Sequence, residues 1–170
     1  MSFVPLFEVS LIVALTFALI RGGGPERVAA ALFTLGSIGS LAGGWRGVPG
    51  GFAVVPTYLM LVDCAMLAAM IVLTLRANRL WLILATACQL LAVLCHVTKL
   101  LAPSIIPTGY AFLTTIWSWP MVLLLLGGTM ARARRVREGR HIPDWRDSSG
   151  RRGLPIPAGL RWPFAPNSRR

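Results

Sequence analysis

Apolar residues fall in long unbroken runs, not in the period-two alternation of a half-buried strand. A spanning helix needs about 20 apolar residues. Five stretches reach or approach that length: 3–20, 28–44, 52–75, 80–101 and 108–130. Backbone groups in hydrocarbon must bond within their own segment, so each stretch is expected to be helical. Punctuation separates them. The segment from Arg21 through three glycines and Pro25 to Arg27 is a breaker, and Pro25 suits the first turn of the next helix. A glycine-rich stretch occupies 43–51, a tight turn 76–79, and Pro103 and Pro107 bracket the last connection. The pattern predicts an all-α membrane protein, a bundle of five transmembrane helices over 1–131, or four if the short second segment is re-entrant.

Composition agrees with that pattern. The chain has 170 residues, is 55% hydrophobic and 14% charged, and has a mean hydropathy of +0.67. Soluble domains lie nearer 45–50% apolar and 25% charged. A soluble globule, a β-barrel and a disulfide scaffold are all poor matches. The three cysteines, Cys64, Cys88 and Cys95, lie inside apolar runs and form no metal or haem spacing.

Charge gives an expected orientation. The six Lys and Arg before Ala131 face three acids, whereas 132–170 carries eleven Arg and three acids. With the N-terminus outside, Arg21, Arg27, Arg76, Arg79 and the tail fall inside, and Arg46 and Lys99 fall outside. That asymmetry is the positive-inside bias. Basic residues follow the first apolar run instead of preceding it, so a retained helix is expected there, not a cleaved signal. The same rule accounts for the basic tail without nucleic acid as a partner. Arg132, Arg134, Arg135, Arg137 and Arg140 form a juxtamembrane cluster suited to anionic lipid, at about 1 kcal/mol per residue. Prolines and glycines then predict a largely disordered cytoplasmic tail over 132–170. Trp145, Trp162 and Phe164 interleave with its arginines, either as a docking arm or as an appendix to a stop-transfer signal.

Polar side chains deep in a bilayer cost about 2.5–3.5 kcal/mol for Asp, so they mark places to look for function. Counting about 1.5 Å per residue from the basic ends puts Asp63, Gln89, His96, Thr115 and Ser118 at overlapping depths in the outer half. Thr86, Gln89, Val93 and His96 share one face of the fourth helix, and Lys99 continues it. The short turn at 76–79 lays the third helix antiparallel to the fourth, so Asp63 can meet His96 or Gln89. Tyr110 and Thr114 offer further hydroxyls, and Pro120 is expected to kink the fifth helix. Two readings follow. Asp63 and His96 bind a proton or cation in a pocket opening outward, imidazole being the side chain that changes charge near neutral pH. Alternatively they are interhelical glue of about 0.6–2 kcal/mol.

Gly36, Ser40 and Gly44 form a small-residue stripe, for packing inside the bundle or against a partner. Glu8 is read as lying in the first turn of the first helix, where the dipole favours an acid. Gly22–Gly24 has no preceding strand and no following Lys-Ser, so it is not a phosphate loop. No catalytic constellation, cofactor motif or metal set is present in the sequence.

The stretches Val62–Ala65, Arg76–Trp81, Gln89–His96 and Ala111–Trp119 resemble small uncharacterised inner-membrane proteins of alphaproteobacteria. The resemblance implies a multi-pass protein of a bacterial inner membrane and no activity. The first functional expectation is a non-catalytic accessory or scaffold subunit, with a membrane-protein partner or a homo-oligomer. The alternative is a proton- or cation-coupled small carrier working as an oligomer, with Asp63 and His96 in the path.

Overall fold

A computed structural model of the chain describes residues 4–44, 52–140 and 143–146. It is all-helical: α1 (Val4–Arg21), α2 (Gly24–Gly44), α3 (Thr57–Arg76), α4 (Leu80–Leu101), α5 (Pro107–Ile116) and α6 (Ser118–Arg137), with no strand among the described residues. α5 and α6 are one rod interrupted at Trp117. Pro120 lacks an N–H and its ring collides with the carbonyl four residues back, which belongs to Ile116. The expected kink coincides with this one-residue interruption, at which Trp117 keeps a right-handed helical backbone. Three of these elements are long and apolar enough to cross a membrane: α3, α4 and the α5–α6 rod.

Neighbours in the bundle run α1, α2, α3, α4, α6 and back to α1, closing a ring, and α5 packs on α4 and α6. Every arginine among the described residues lies at one end, which we call the arginine end. The loops at 52–56 and 102–106, together with Lys99, mark the far end. Lys99 is buried and continues the inward face of α4, as expected. Its Nζ donates to the carbonyls of Pro103 at 2.9 Å and Ile105 at 2.6 Å, tying down the turn into α5.

Side-chain placement is inverted relative to a soluble protein. Alanines fill the interior (Ala14, Ala18, Ala29, Ala30, Ala85) with Phe33, Met70, Leu82 and Leu125, whereas Leu, Ile and Val crowd the outside. So much contiguous exposed aliphatic surface is far beyond what a soluble monomer shows. Along α4 the buried positions are Leu82, Ala85, Gln89, Ala92, His96 and Lys99, steps of three and four that keep one face inward. That face is apolar near the arginine end and polar toward the far end.

Gly139 ends α6 with φ of 69°. The Gly139 N–H donates to Val136 at 3.1 Å and the Arg140 N–H to Arg135 at 2.9 Å, a Schellman cap. The chain reverses there, and residues 143–146 return to the α3–α4 turn. The Asn78 N–H donates to the Asp144 carbonyl at 3.1 Å and the Arg146 N–H to the Arg76 carbonyl at 2.8 Å. The fifth helix runs on through its first juxtamembrane turns to Arg137, and the departure from the expected tail is that residues 143–146 beyond it are pinned to the bundle. Arg46 and the rest of the tail, including Trp162 and Phe164, lie outside the described residues.

Adjacent glycines on α6 test the packing. A Cβ on Gly128 would come within 2.5 Å of the Trp81 ring, whereas one on Gly127 meets nothing within 4 Å. Gly128→Ala is expected to lower the melting temperature of the detergent-purified protein, at an overpacking cost of about 1–3 kcal/mol. Gly127→Ala is expected to leave it unchanged or slightly raised.

Candidate functional site

Two polar clusters lie inside this apolar bundle, one in each half. The far-half cluster begins with Asp63 on α3. The Gln89 amide donates to its Oδ1 at 3.1 Å and to its backbone carbonyl at 3.2 Å. Asp63 Oδ2 lies 2.8 Å from His96 Nε2, and His96 Nδ1 lies 2.5 Å from the Tyr110 hydroxyl. One assignment satisfies the whole chain: Tyr110 donates to Nδ1, and the Nε2–H donates to Asp63. His96 and Tyr110 are buried, but the Asp63 side chain keeps 27% of its surface exposed.

That exposed side faces a cavity of about 440 Å³, within the usual range for small-ligand sites. All six helices contribute to its wall. Asp63 and Glu8 bring carboxylates, Phe7, Phe33 and Phe52 bring aromatic faces, and Ser37, Ser40, Thr114, Thr115 and Ser118 bring hydroxyls. Phe52 holds a left-handed backbone, φ 67°, and sets its ring edge-on to Tyr110 at 6.0 Å. Thr114 and Thr115 bond back to carbonyls of their own helix.

The expected residues Asp63, Gln89 and His96 are in direct contact, and Thr115 and Ser118 share their cavity. Tyr110 is closer to the chemistry than either. Glu8 corrects its expected role. It lies past the first turn of α1, so it lines the cavity and does not cap the helix. The small-residue stripe divides: Gly36 packs against Met66 of α3 in the same chain, Ser40 lines the cavity, and the surroundings of Gly44 lie outside the described residues.

The second cluster, at the arginine end, was missed by sequence reasoning. Glu26 is fully buried, accepting a bond from the Gly23 N–H at 3.0 Å and another from Arg79 Nε at 2.9 Å. Arg79 also pairs through Nη2 with Asp144. The other Asp144 oxygen accepts from the Gly24 N–H at 3.2 Å, at the N-terminus of α2, where an acid is favoured. Arg132 Nε faces Asp144 at 3.6 Å and Glu26 at 3.9 Å, while its Nη1 donates to the Arg21 carbonyl at 3.2 Å. Arg132 is therefore turned inward as well as being a candidate lipid contact. The glycines are explained by this assembly. A Cβ on Gly23 would overlap Arg132 and Asp144, and one on Gly24 would come within 2.8 Å of the Trp145 ring.

Arg140 pairs with Glu138, and this hydrogen bond, with the charge of Arg140, holds the Glu138 carboxyl below its ordinary range. Among the described residues, no three His, Cys, Asp or Glu side chains converge as a metal set. Compared with known proteins, the chain matches no family model, no curated protein and no solved structure.

Removing one member of a buried ion pair strands the other, at a cost of about 3–5 kcal/mol. Arg79→Ala is expected to unfold the arginine end or lower the melting temperature sharply. The doubly neutral Glu26→Gln with Arg79→Gln should recover part of that loss, as measured by thermal unfolding in detergent.

Proposed function

We propose that the chain is a multi-pass membrane protein with five spans that binds a small organic cation in its far-half cavity. Asp63 serves as counter-ion, and the Asp63–His96 pair takes up or releases a proton as the cation leaves or enters. The observation that carries this reading is a carboxylate, hydrogen-bonded to a buried imidazole, that still exposes one side to a cavity in an apolar bundle. Glu8 adds a second negative charge at the wall, and the phenylalanines suit the apolar body and charge of an alkylammonium ion. The cavity lies toward the far end, while the Glu26–Arg79–Asp144 cluster seals the arginine end. One open and one closed end is the form a carrier takes in one of its two states. Carriage by an oligomer is consistent with so small a bundle.

Orientation follows from charge. Arginines gather at the end of the bundle that holds Arg21, Arg76 and Arg132, which supports a cytoplasmic arginine end, an outer N-terminus and a cavity that opens outward. α2 is one helix of 21 residues, about 30 Å long, which favours a span over a re-entrant loop. A bacterial inner membrane rests on the resemblance described above.

An accessory subunit without a ligand is the second reading. It is favoured by Gln89 and His96 occupying both Asp63 oxygens, which already ties α3 to α4 and, through Tyr110, to α5.

Asp63→Asn separates the two, because it preserves shape and removes charge. Binding of an alkylammonium series, methylammonium to tetraethylammonium, should weaken at least about tenfold, or 1.4 kcal/mol, and coupled proton movement in proteoliposomes should stop. The melting temperature should move by only a few degrees. A folded Asp63→Asn protein with unchanged binding and flux would leave the accessory reading standing.

A further inference from the structure

At the arginine end, a cleft of about 370 Å³ is walled by four arginines, Arg79, Arg132, Arg135 and Arg140, beside Asp144. Their balance is positive even after each nearby acid is counted. Four guanidiniums face Asp144 in the cleft, Glu26 beneath it and Glu138 at its rim, leaving one net positive charge. Two features show that the place is made for an anion. The carboxylate of Asp144 is already held there by two donors, Arg79 and the Gly24 N–H, with the Arg132 guanidinium 3.6 Å away. Arg132 Nε is also buried with no hydrogen-bond partner among the described residues, and no carboxylate there pairs with Arg135.

Planar guanidiniums gathered round one cleft suit a tetrahedral oxyanion, because each offers two parallel N–H donors to two oxygens. We propose that this arginine-lined cleft is a binding site for a phosphate group. Arg132 and Arg135, three residues apart on α6, share a helix face and supply the main clamp. Arg140 closes it from beyond the Gly139 turn, and Arg79 forms the floor with its Glu26 and Asp144 partners. Arg134 and Arg137 do not line the cleft, so the juxtamembrane cluster divides into clamp residues and bystanders. A phospholipid headgroup and a soluble phosphate share this chemistry. The position just beyond the apolar part of α6 suits the first, and the cleft's openness to water allows the second.

The test uses the full-length protein in neutral detergent and reads its melting temperature. One arm adds dioleoylphosphatidylglycerol against dioleoylphosphatidylcholine, and the other adds inorganic phosphate against chloride at equal ionic strength. Binding at about a hundredfold excess over the dissociation constant is expected to raise the melting temperature by about 5 °C or more in at least one arm. A rise with the lipid alone assigns a headgroup, and a rise with inorganic phosphate assigns a soluble ligand. Arg135→Gln with Arg140→Gln should abolish the rise, while Arg134→Gln with Arg137→Gln, equal in charge removed, should keep it. No rise in either arm, or equal loss in both double variants, overturns the site. If the clamp variant does not fold, Arg135→Lys replaces it. It keeps the charge but loses the fork, and an undiminished rise would overturn the proposal equally.

Discussion

A guanidinium and a carboxylate out of reach of water hold the arginine end together. Glu26 is fully buried, and Arg79 nearly so. In a medium without water neither ion tolerates isolation, so each fixes its neighbours. Glu26 fixes the start of α2 through Gly23, and Arg79 fixes the α3–α4 turn. Asp144 then has a seat waiting, which is why residues so far along the chain return to the bundle. Gly23 and Gly24 follow from the same seat, since side chains there would occupy the space of Asp144, Arg132 and Trp145.

The same constraint shapes the other half differently. Asp63, Gln89, His96 and Tyr110 satisfy one another across three helices, yet Asp63 keeps an open side. A cluster serving only as glue would gain from closing over that side with an apolar side chain. Here a cavity lies beside it instead, lined by aromatic and hydroxyl groups. Small alanines on α1, α2 and α4 are buried in the core of the bundle. The two polar clusters thus differ, one closed and one open to a cavity.

Much of this was legible in the sequence. α4 spans Leu80–Leu101 as expected, because Arg79 and Pro103 punctuate a continuous apolar run. The Asp63–His96 contact follows from helical spacing plus a short turn, both local features. α2 starts four residues before the expected position, since Pro25 and Glu26 sit inside its first turn, where they suit a helix start. The Glu26–Arg79–Asp144 assembly was not legible. Its members are 53 and 65 residues apart and lie in turns, where charges look like solvated punctuation. Arginines that report topology by their number conceal structural roles that depend on their direction. The available signal was an acid two residues after three glycines, a pattern that fits a helix start closely approached by other groups. Residues 143–146 were read by proline and glycine content, which describes local stiffness and cannot register a distant partner.

The most direct measurement is thiol accessibility at Ser40, on the cavity wall, in intact cells. In a chain with Cys64, Cys88 and Cys95 replaced by alanine, Ser40→Cys should react with a membrane-impermeant, charged methanethiosulfonate added outside. Alkylammonium ions should slow that reaction. Labelling only after the membrane is permeabilised, or labelling at a rate that no alkylammonium ion changes, would contradict an outward cavity that holds a cation.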